Sequence, residues 1–330
     1  MMPKQPLISI VIPVYNVAPY VARFMESLST ACAQIDRYDL DIVIVNDGST
    51  DSSMTIVNDF IANDAILKPI TSIINKPNGG LASTRNAGIK QASGLWILAL
   101  DSDDFIAPDY IAKLVEAASK ADKDISIIAG GHTLWWNDNQ MTPRPITIVD
   151  DYDKMIKSMS MFSCTKLFRS SVITSYGLEY DPSNIGGEDA QFLFEYWNKA
   201  PGRVMAVDTT GYYYRQRQGS LSKTRHIDYH GKLHTYRLFR KAITDCIAAN
   251  QLSPTMWQHW RKMLGCDLYD MIGDLRLSSE TQRHVTEILA RDFTSEQIDD
   301  LKSFDCSRIR RLLNKVLIYS VKKRKKGCAG

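Results

Sequence analysis

Through the first hundred residues, short apolar runs alternate with stretches of helical period. Leu7–Val14, Asp41–Val45, Ile70–Ile74 and Leu95–Leu100 are rich in Val, Ile and Leu and end in turn-forming residues. Between them, Pro19–Gln34, a segment from Ser49 to about Asn63, and Leu81–Ala92 place apolar residues at helical spacing. Strands buried on both faces lose the in–out alternation of half-exposed ones. The pattern therefore predicts an α/β fold with a mostly parallel sheet flanked by helices. Pro108–Lys120 predicts a further helix, Ile125–Gly130 a strand, and Glu188–Lys199 another helix. Thr133–Trp136, Val204–Val207 and Gly211–Tyr214 are aromatic and β-rich. Beyond Tyr229 the pattern is helices with polar connectors. The expected division is thus residues 1–228 as the α/β domain, with halves 1–105 and 106–228, and residues 229–330 as a helical extension.

Each of the first four strands runs into a polar turn. The turns are Pro13-Val14-Tyr15-Asn16, Asn46-Asp47-Gly48-Ser49, Asn75-Lys76-Pro77-Asn78-Gly79-Gly80 and Asp101-Ser102-Asp103-Asp104. Open α/β sheets bind ligands beyond the carboxyl ends of their strands, so four such ends point to one shared site. Three carboxylates within the Asp101–Asp104 turn repel one another. Gathered around Mg2+ or Mn2+ they suit a nucleotide diphosphate, whose oxygens complete the ion's shell. As a solvated turn they would cap the next helix instead, and the turn alone leaves both readings open. Asp47 fits the N3–H of a uracil, while Ser49, Thr50 and Asp51 all qualify to cap a helix N-terminus. Both can hold at once, with Asp47 for the ligand and Ser49 or Thr50 for the helix. Asn78-Gly79-Gly80 opens a helix whose amides and dipole favour anions, with Arg85 a turn further in. No Gly-x-Gly-x-x-Gly or Gly-x-x-x-x-Gly-Lys-Ser/Thr occurs, which disfavours dinucleotide-dependent oxidoreductases and P-loop enzymes.

Composition adds bounds rather than chemistry. At 330 residues, 44% hydrophobic and 23% charged, the chain is an ordinary globular one. It has no run of 18 apolar residues and no signal-like start, which suggests a cytoplasmic protein. Six scattered cysteines without a Cys-x-x-Cys pair read as reduced thiols. The net charge of +3 conceals an asymmetry: nine basic and no acidic residues lie beyond Ser307, leaving 31 basic against 37 acidic in the rest.

Taken in order, four blocks strongly resemble the family 2 inverting glycosyltransferases of GT-A fold. They are Ile12-Pro13-Val14-Tyr15-Asn16, Val45-Asn46-Asp47-Gly48-Ser49-Thr50-Asp51, Asn78-Gly79-Gly80 through Arg85-Asn86-Ala87-Gly88, and Leu100-Asp101-Ser102-Asp103-Asp104. The likeness covers residues 7 to about 225, with Asn46 where the family often has Asp. It implies that Pro13 and Tyr15 line a nucleotide pocket and that Asp47 meets the base. Asn78, Gly79, Gly80, Arg85 and Ser102 then lie near the donor, Asp101 faces its ribose, and Asp103 is the DxD carboxylate for Mn2+ or Mg2+. Asp104 either joins that group or caps the helix starting near Pro108. In Gly186-Gly187-Glu188-Asp189, the residues alone offer favourable charge at a helix N-terminus. The resemblance makes Asp189 the general base and Glu188 a sugar contact. It also makes Arg217, in preference to Arg215, a diphosphate contact, and His226 a candidate metal ligand. Lys166 and Arg169 match a recurrent family block of unassigned role. Trp135-Trp136 is either a platform for acceptor sugar or buried core.

The expected function is inverting, metal-dependent transfer from a UDP-sugar to a hydroxyl of a saccharide or lipid-linked saccharide, in bacterial surface polysaccharide synthesis. The alternatives are a sugar-nucleotide nucleotidyltransferase, whose usual glycine- and arginine-rich first loop is absent here, and an inactive GT-A membrane scaffold. Ile309, Leu312, Leu313, Val316, Leu317 and Val321 fall at helical spacing among the basic residues of 307–326. That is the pattern of an interfacial helix, suggesting peripheral contact with anionic lipid at the inner face of the cell membrane. The acidic remainder argues against nucleic acid, and a homo-oligomer is left open.

Overall fold

The computed structural model describes residues 5–148, 158–184, 187–200 and 202–216, all within the first of two compact units, residues 1–253. The predicted extension (229–330), its basic segment, Arg217 and His226 lie outside the described residues.

Strands β1 (Ile8–Val14), β2 (Leu40–Asn46), β3 (Thr71–Asn75) and β4 (Trp96–Ala99) alternate with helices α1 (Ala18–Cys32), α2 (Ser53–Asn63) and α3 (Gly80–Gln91). Next come β5 (Phe105–Ile106), α4 (Tyr110–Lys120), β6 (Ile125–Ala129), β7 (His132–Asn137) and β8 (Gln140–Arg144). The described chain continues with β9 (Lys166–Arg169), α5 (Ser170–Tyr176), α6 (Glu188–Lys199), β10 (Arg203–Ala206) and β11 (Tyr212–Arg215). The main sheet has the order β10-β6-β9-β4-β1-β2-β3, and a second sheet the order β5-β11-β7-β8. In the main sheet only β9 runs antiparallel to its neighbours. The mostly parallel prediction therefore holds.

Pattern and packing agree. Ile10, Ile12, Ile44 and Leu98 join one core with Phe24 and Leu28 of α1 and Leu114 of α4. Val11 and Val45, pointing the other way, meet α3, so both faces of β1 are sealed. Phe168 of β9 packs edge-on against Phe192 of α6, and that ring stacks on Tyr180 at 4.1 Å. The sequence pattern misses β9 because Lys-Leu-Phe-Arg offers only two apolar residues, although Lys166 itself is fully buried. It misses β8 because that strand is largely exposed and carries Pro143, as an edge strand can.

Helix α3 lies close to the sheet because Gly88 has no side chain. A Cβ there would fall 2.3 Å from Val11 Cγ1 and 3.2 Å from Val45 Cγ2. Gly88→Ala is expected to destabilise the fold by about 1–3 kcal/mol through overpacking. Urea denaturation followed by circular dichroism would show the lower midpoint.

Candidate active site

Parallel pairing of β4, β1, β2 and β3 brings all four polar turns to one sheet edge. The first two are tied together by side chains. Asn16, in a left-handed conformation at φ 49°, accepts from the Thr50 amide at 2.9 Å. Asp51 accepts from Ala18 N of α1 at 3.0 Å and from Ser53 N of α2 at 2.9 Å. Burial works against its charge, yet the Ser53 hydroxyl, which also donates to it, and these amides hold its pKa below the usual carboxylate value. The capping role therefore falls to Asp51, which serves two helices at once.

Asp47 is 2% exposed and faces inward. Its Oδ1 accepts from Gly79 N and its Oδ2 from Gly80 N, each at 2.9 Å, and Lys76 Nζ pairs with Oδ1. In place of an open carboxylate awaiting a base, the structure has a buried clamp on the glycine turn. Gly80 takes φ +82°, and a Cβ on Gly48 (φ +71°) would lie 3.0 Å from Asn78 N. The close approach of the two turns requires glycine at Gly48, and at Gly80 the left-handed backbone alone favours it. Asn78, Gly79 and Gly80 remain exposed, as does Tyr15, while Pro13 is buried in β1.

The Asp101–Asp104 turn divides into distinct parts. Ser102 is buried, and its Oγ donates to the Pro13 carbonyl at 2.6 Å, locking β4 to β1. That bond occupies the hydroxyl of a residue expected to bind the substrate. Asp104 is also buried; it accepts from the Tyr212 hydroxyl and, at 2.7 Å, from Arg215 N. It therefore holds β11 and caps no helix. Burial, then the charges of Asp103 and Asp101, push its pKa well above the carboxylate range. Asp103 presents a partly exposed carboxylate, while its backbone carbonyl accepts from Arg215 Nε at 2.8 Å.

Asp101 meets Arg85, which connects the turn to the distant Gly187–Asp189 segment. The guanidinium is 1% exposed; Nη2 donates to Asp101 Oδ1 at 2.8 Å and Nη1 to Asp189 Oδ1 at 2.6 Å. Burial disfavours this charge, but the two carboxylates outweigh it and raise the Arg85 pKa well above its ordinary value. Burial also raises the pKa of Asp101 despite Arg85. Arg85, expected near the donor, is a buried brace between the two carboxylates. Asp189 Oδ2 also receives the Ser163 amide, at 3.4 Å. Glu188 and Asp189 form the first turn of α6, where negative charge is favoured.

Several contributors were not singled out by sequence. Lys76 reaches Asp47 across a turn, Tyr212 stands in the aromatic stretch Gly211–Tyr214 without an assigned role, and Ser163 carries no motif. Arg215, passed over for Arg217, grips the turn and lies 4.7 Å from the Trp135 ring, which Arg23 flanks at 4.8 Å. Enclosed this way, Trp135 is core rather than platform, while Trp136 is half-buried.

Known proteins resemble the chain in sequence and in fold. The chain is 28% identical over 229 residues to an uncharacterized glycosyltransferase, EpsJ, of Bacillus subtilis, covering 66% of this chain. It spans 63% of that relative, less than two thirds of its length. TarS of S. aureus, solved with UDP-GlcNAc, superposes with a TM-score of 0.68 at 18% identity, over 96% of this chain and 88% of that one. A mannosyltransferase of Pyrobaculum calidifontis, solved with GDP-Man and Mn2+, gives 0.55 at 12% identity, over 96% and 87%. At those identities the likeness is one of fold, and the fold is GT-A. Residues 9–176, just over half of the chain, match the family described as Glycosyl transferase family 2, and the chain belongs to that family.

Proposed function

We propose that the chain transfers a sugar from a UDP-sugar to an acceptor hydroxyl by a single inverting displacement, with Asp189 as base. The observation that carries this reading is the Arg85 bridge. One buried guanidinium sets the turn carrying Asp103 and the start of α6 carrying Asp189 in fixed relation. That is the spacing problem of a transferase, whose base must meet an acceptor at the donor's anomeric carbon. The acceptor oxygen bonds to that carbon as the bond to the diphosphate breaks, and the hydroxyl proton passes to Asp189. Arg85 keeps its charge throughout and prevents the base from swinging away. The UDP-GlcNAc complex of TarS supports the choice of donor.

Asp103 would hold a divalent ion, with Asp101 nearby. Among the described residues no three metal-ligating side chains cluster. An all-oxygen turn suits Mg2+ or Mn2+, which take one or two carboxylates and complete their shell with phosphate oxygens and water. The chemistry such an ion supplies is charge neutralisation at the departing diphosphate. The Mn2+ complex of the mannosyltransferase supports this choice.

The acceptor in this reading is a saccharide or lipid-linked saccharide of a bacterial surface polymer. Residues 1–228 form the catalytic domain and 229–330 a helical region. Its basic segment 307–326 rests on anionic lipid at the cytoplasmic face. No helix of the described residues is long and apolar enough to cross a membrane. A panel of UDP-sugars, tested for thermal stabilisation with Mn2+ and with chelator, checks the donor and metal together. At a hundred times its Kd, one UDP-sugar is expected to stabilise by about 2.7 kcal/mol. That stabilisation should disappear with chelator. No response to any UDP-sugar, or a response indifferent to chelator, would contradict the reading.

A further inference from the structure

Lys166 is 0% exposed, yet its ammonium meets neutral oxygens. It donates to the Ser160 carbonyl at 2.6 Å, the Phe162 carbonyl at 2.7 Å and Thr165 Oγ1 at 3.2 Å. Three protons thereby close residues 160–165 into a loop. Thr165 Oγ1 strengthens the closure through Ser160 Oγ at 2.9 Å and the Phe162 carbonyl at 3.1 Å. Outside the loop, the Phe162 ring wedges between His132 and Tyr214. The next residue, Ser163, directs its amide at Asp189 Oδ2. A buried cation solvated by carbonyls is costly to keep, and an apolar side chain would fill the β9 slot more cheaply.

We infer that Lys166 is a positioning residue for transfer: it organises the 160–165 loop so that the Ser163 amide fixes the second oxygen of Asp189. The inference rests on Asp189 being the base. Arg85 then holds one carboxylate oxygen and Ser163 the other, setting the plane of the carboxylate that faces the acceptor.

This arrangement carries a pH signature. Burial draws the Lys166 pKa down to about 8, against the supporting charge of Asp189. Of the groups facing it, burial lifts Cys164 well above its usual value, and burial, Lys166 and Arg144 push His132 down to about 4. As pH rises through about 8, the amine keeps two protons for three acceptors. The loop loosens and turnover falls.

The test uses the full chain, the UDP-sugar selected by the stabilisation screen, and UDP release as readout. Lys166→Met is expected to lower kcat about tenfold, the scale of a small misplacement of a catalytic group, with donor KM unchanged. Lys166→Arg is expected to retain turnover and lose the alkaline limb near pH 8. Ser163→Pro removes the amide donor by a separate route. Phe162, at φ −68° and ψ 132°, already has the backbone that precedes proline. This variant should reproduce the kcat loss, and the double variant with Lys166→Met should be no worse than either alone. Unchanged kcat in both Lys166→Met and Ser163→Pro, with Asp189→Asn inactive, overturns this inference alone. An active Asp189→Asn overturns the reading beneath it.

Discussion

Asp189→Asn is expected to lower turnover by about 10²–10⁴, the contribution of a positioned general base. The amide is nearly the same size as the carboxylate and keeps an oxygen for Arg85 or Ser163. It cannot, however, take the acceptor proton. Arg85 retains Asp101 as counter-ion, so the variant should fold. The loss should appear in kcat, leaving donor KM near the wild-type value, because the proposed mechanism gives Asp189 the acceptor proton and leaves the donor diphosphate to the turn carrying Asp103. Steady-state UDP release with the selected donor measures both constants.

Arg85→Met should be the most damaging change to the fold as well as to the site. It removes both ion pairs and leaves Asp101 and Asp189 facing each other without a cation. Breaking a buried pair by deleting one partner costs about 3–5 kcal/mol. The lower end applies here, because the carboxylates keep 24% and 21% exposure and regain some hydration. Arg85→Lys should rescue little: an ammonium is a point charge, whereas the guanidinium fork reaches two carboxylates from one fixed plane. Urea unfolding gives the stability loss, and UDP release from the folded fraction gives the loss of activity.

The parallel strands were legible because burial on both faces writes itself as uninterrupted Val, Ile and Leu. The four turns were legible because parallel pairing sends successive strand ends to one edge. Strand β9 was not, since its buried lysine breaks the apolar signal while its main chain fills the centre of the sheet. Within the site, the motifs gave location better than they gave role. Asp101, Ser102, Asp103 and Asp104 are adjacent in sequence, but their partners are Arg85, the Pro13 carbonyl and residues of β11. Those partners come from elsewhere in the chain, so periodicity cannot assign them. Asp47 illustrates the same point: a carboxylate just past a strand reads as open until the Gly79 and Gly80 amides fold over it. The link between Arg85 and Asp189 spans 104 positions and leaves no local trace.

Central to the proposed mechanism is a division of labour, in which donor binding and acceptor activation fall to different carboxylates braced together by Arg85. Calorimetric titration of UDP, in the presence of Mn2+, into Asp189→Asn and Asp103→Ala chains tests this most directly. The expected result is wild-type affinity in Asp189→Asn and loss of Mn2+-dependent binding in Asp103→Ala. Abolished UDP binding in Asp189→Asn, or undiminished metal-dependent binding in Asp103→Ala, would contradict it.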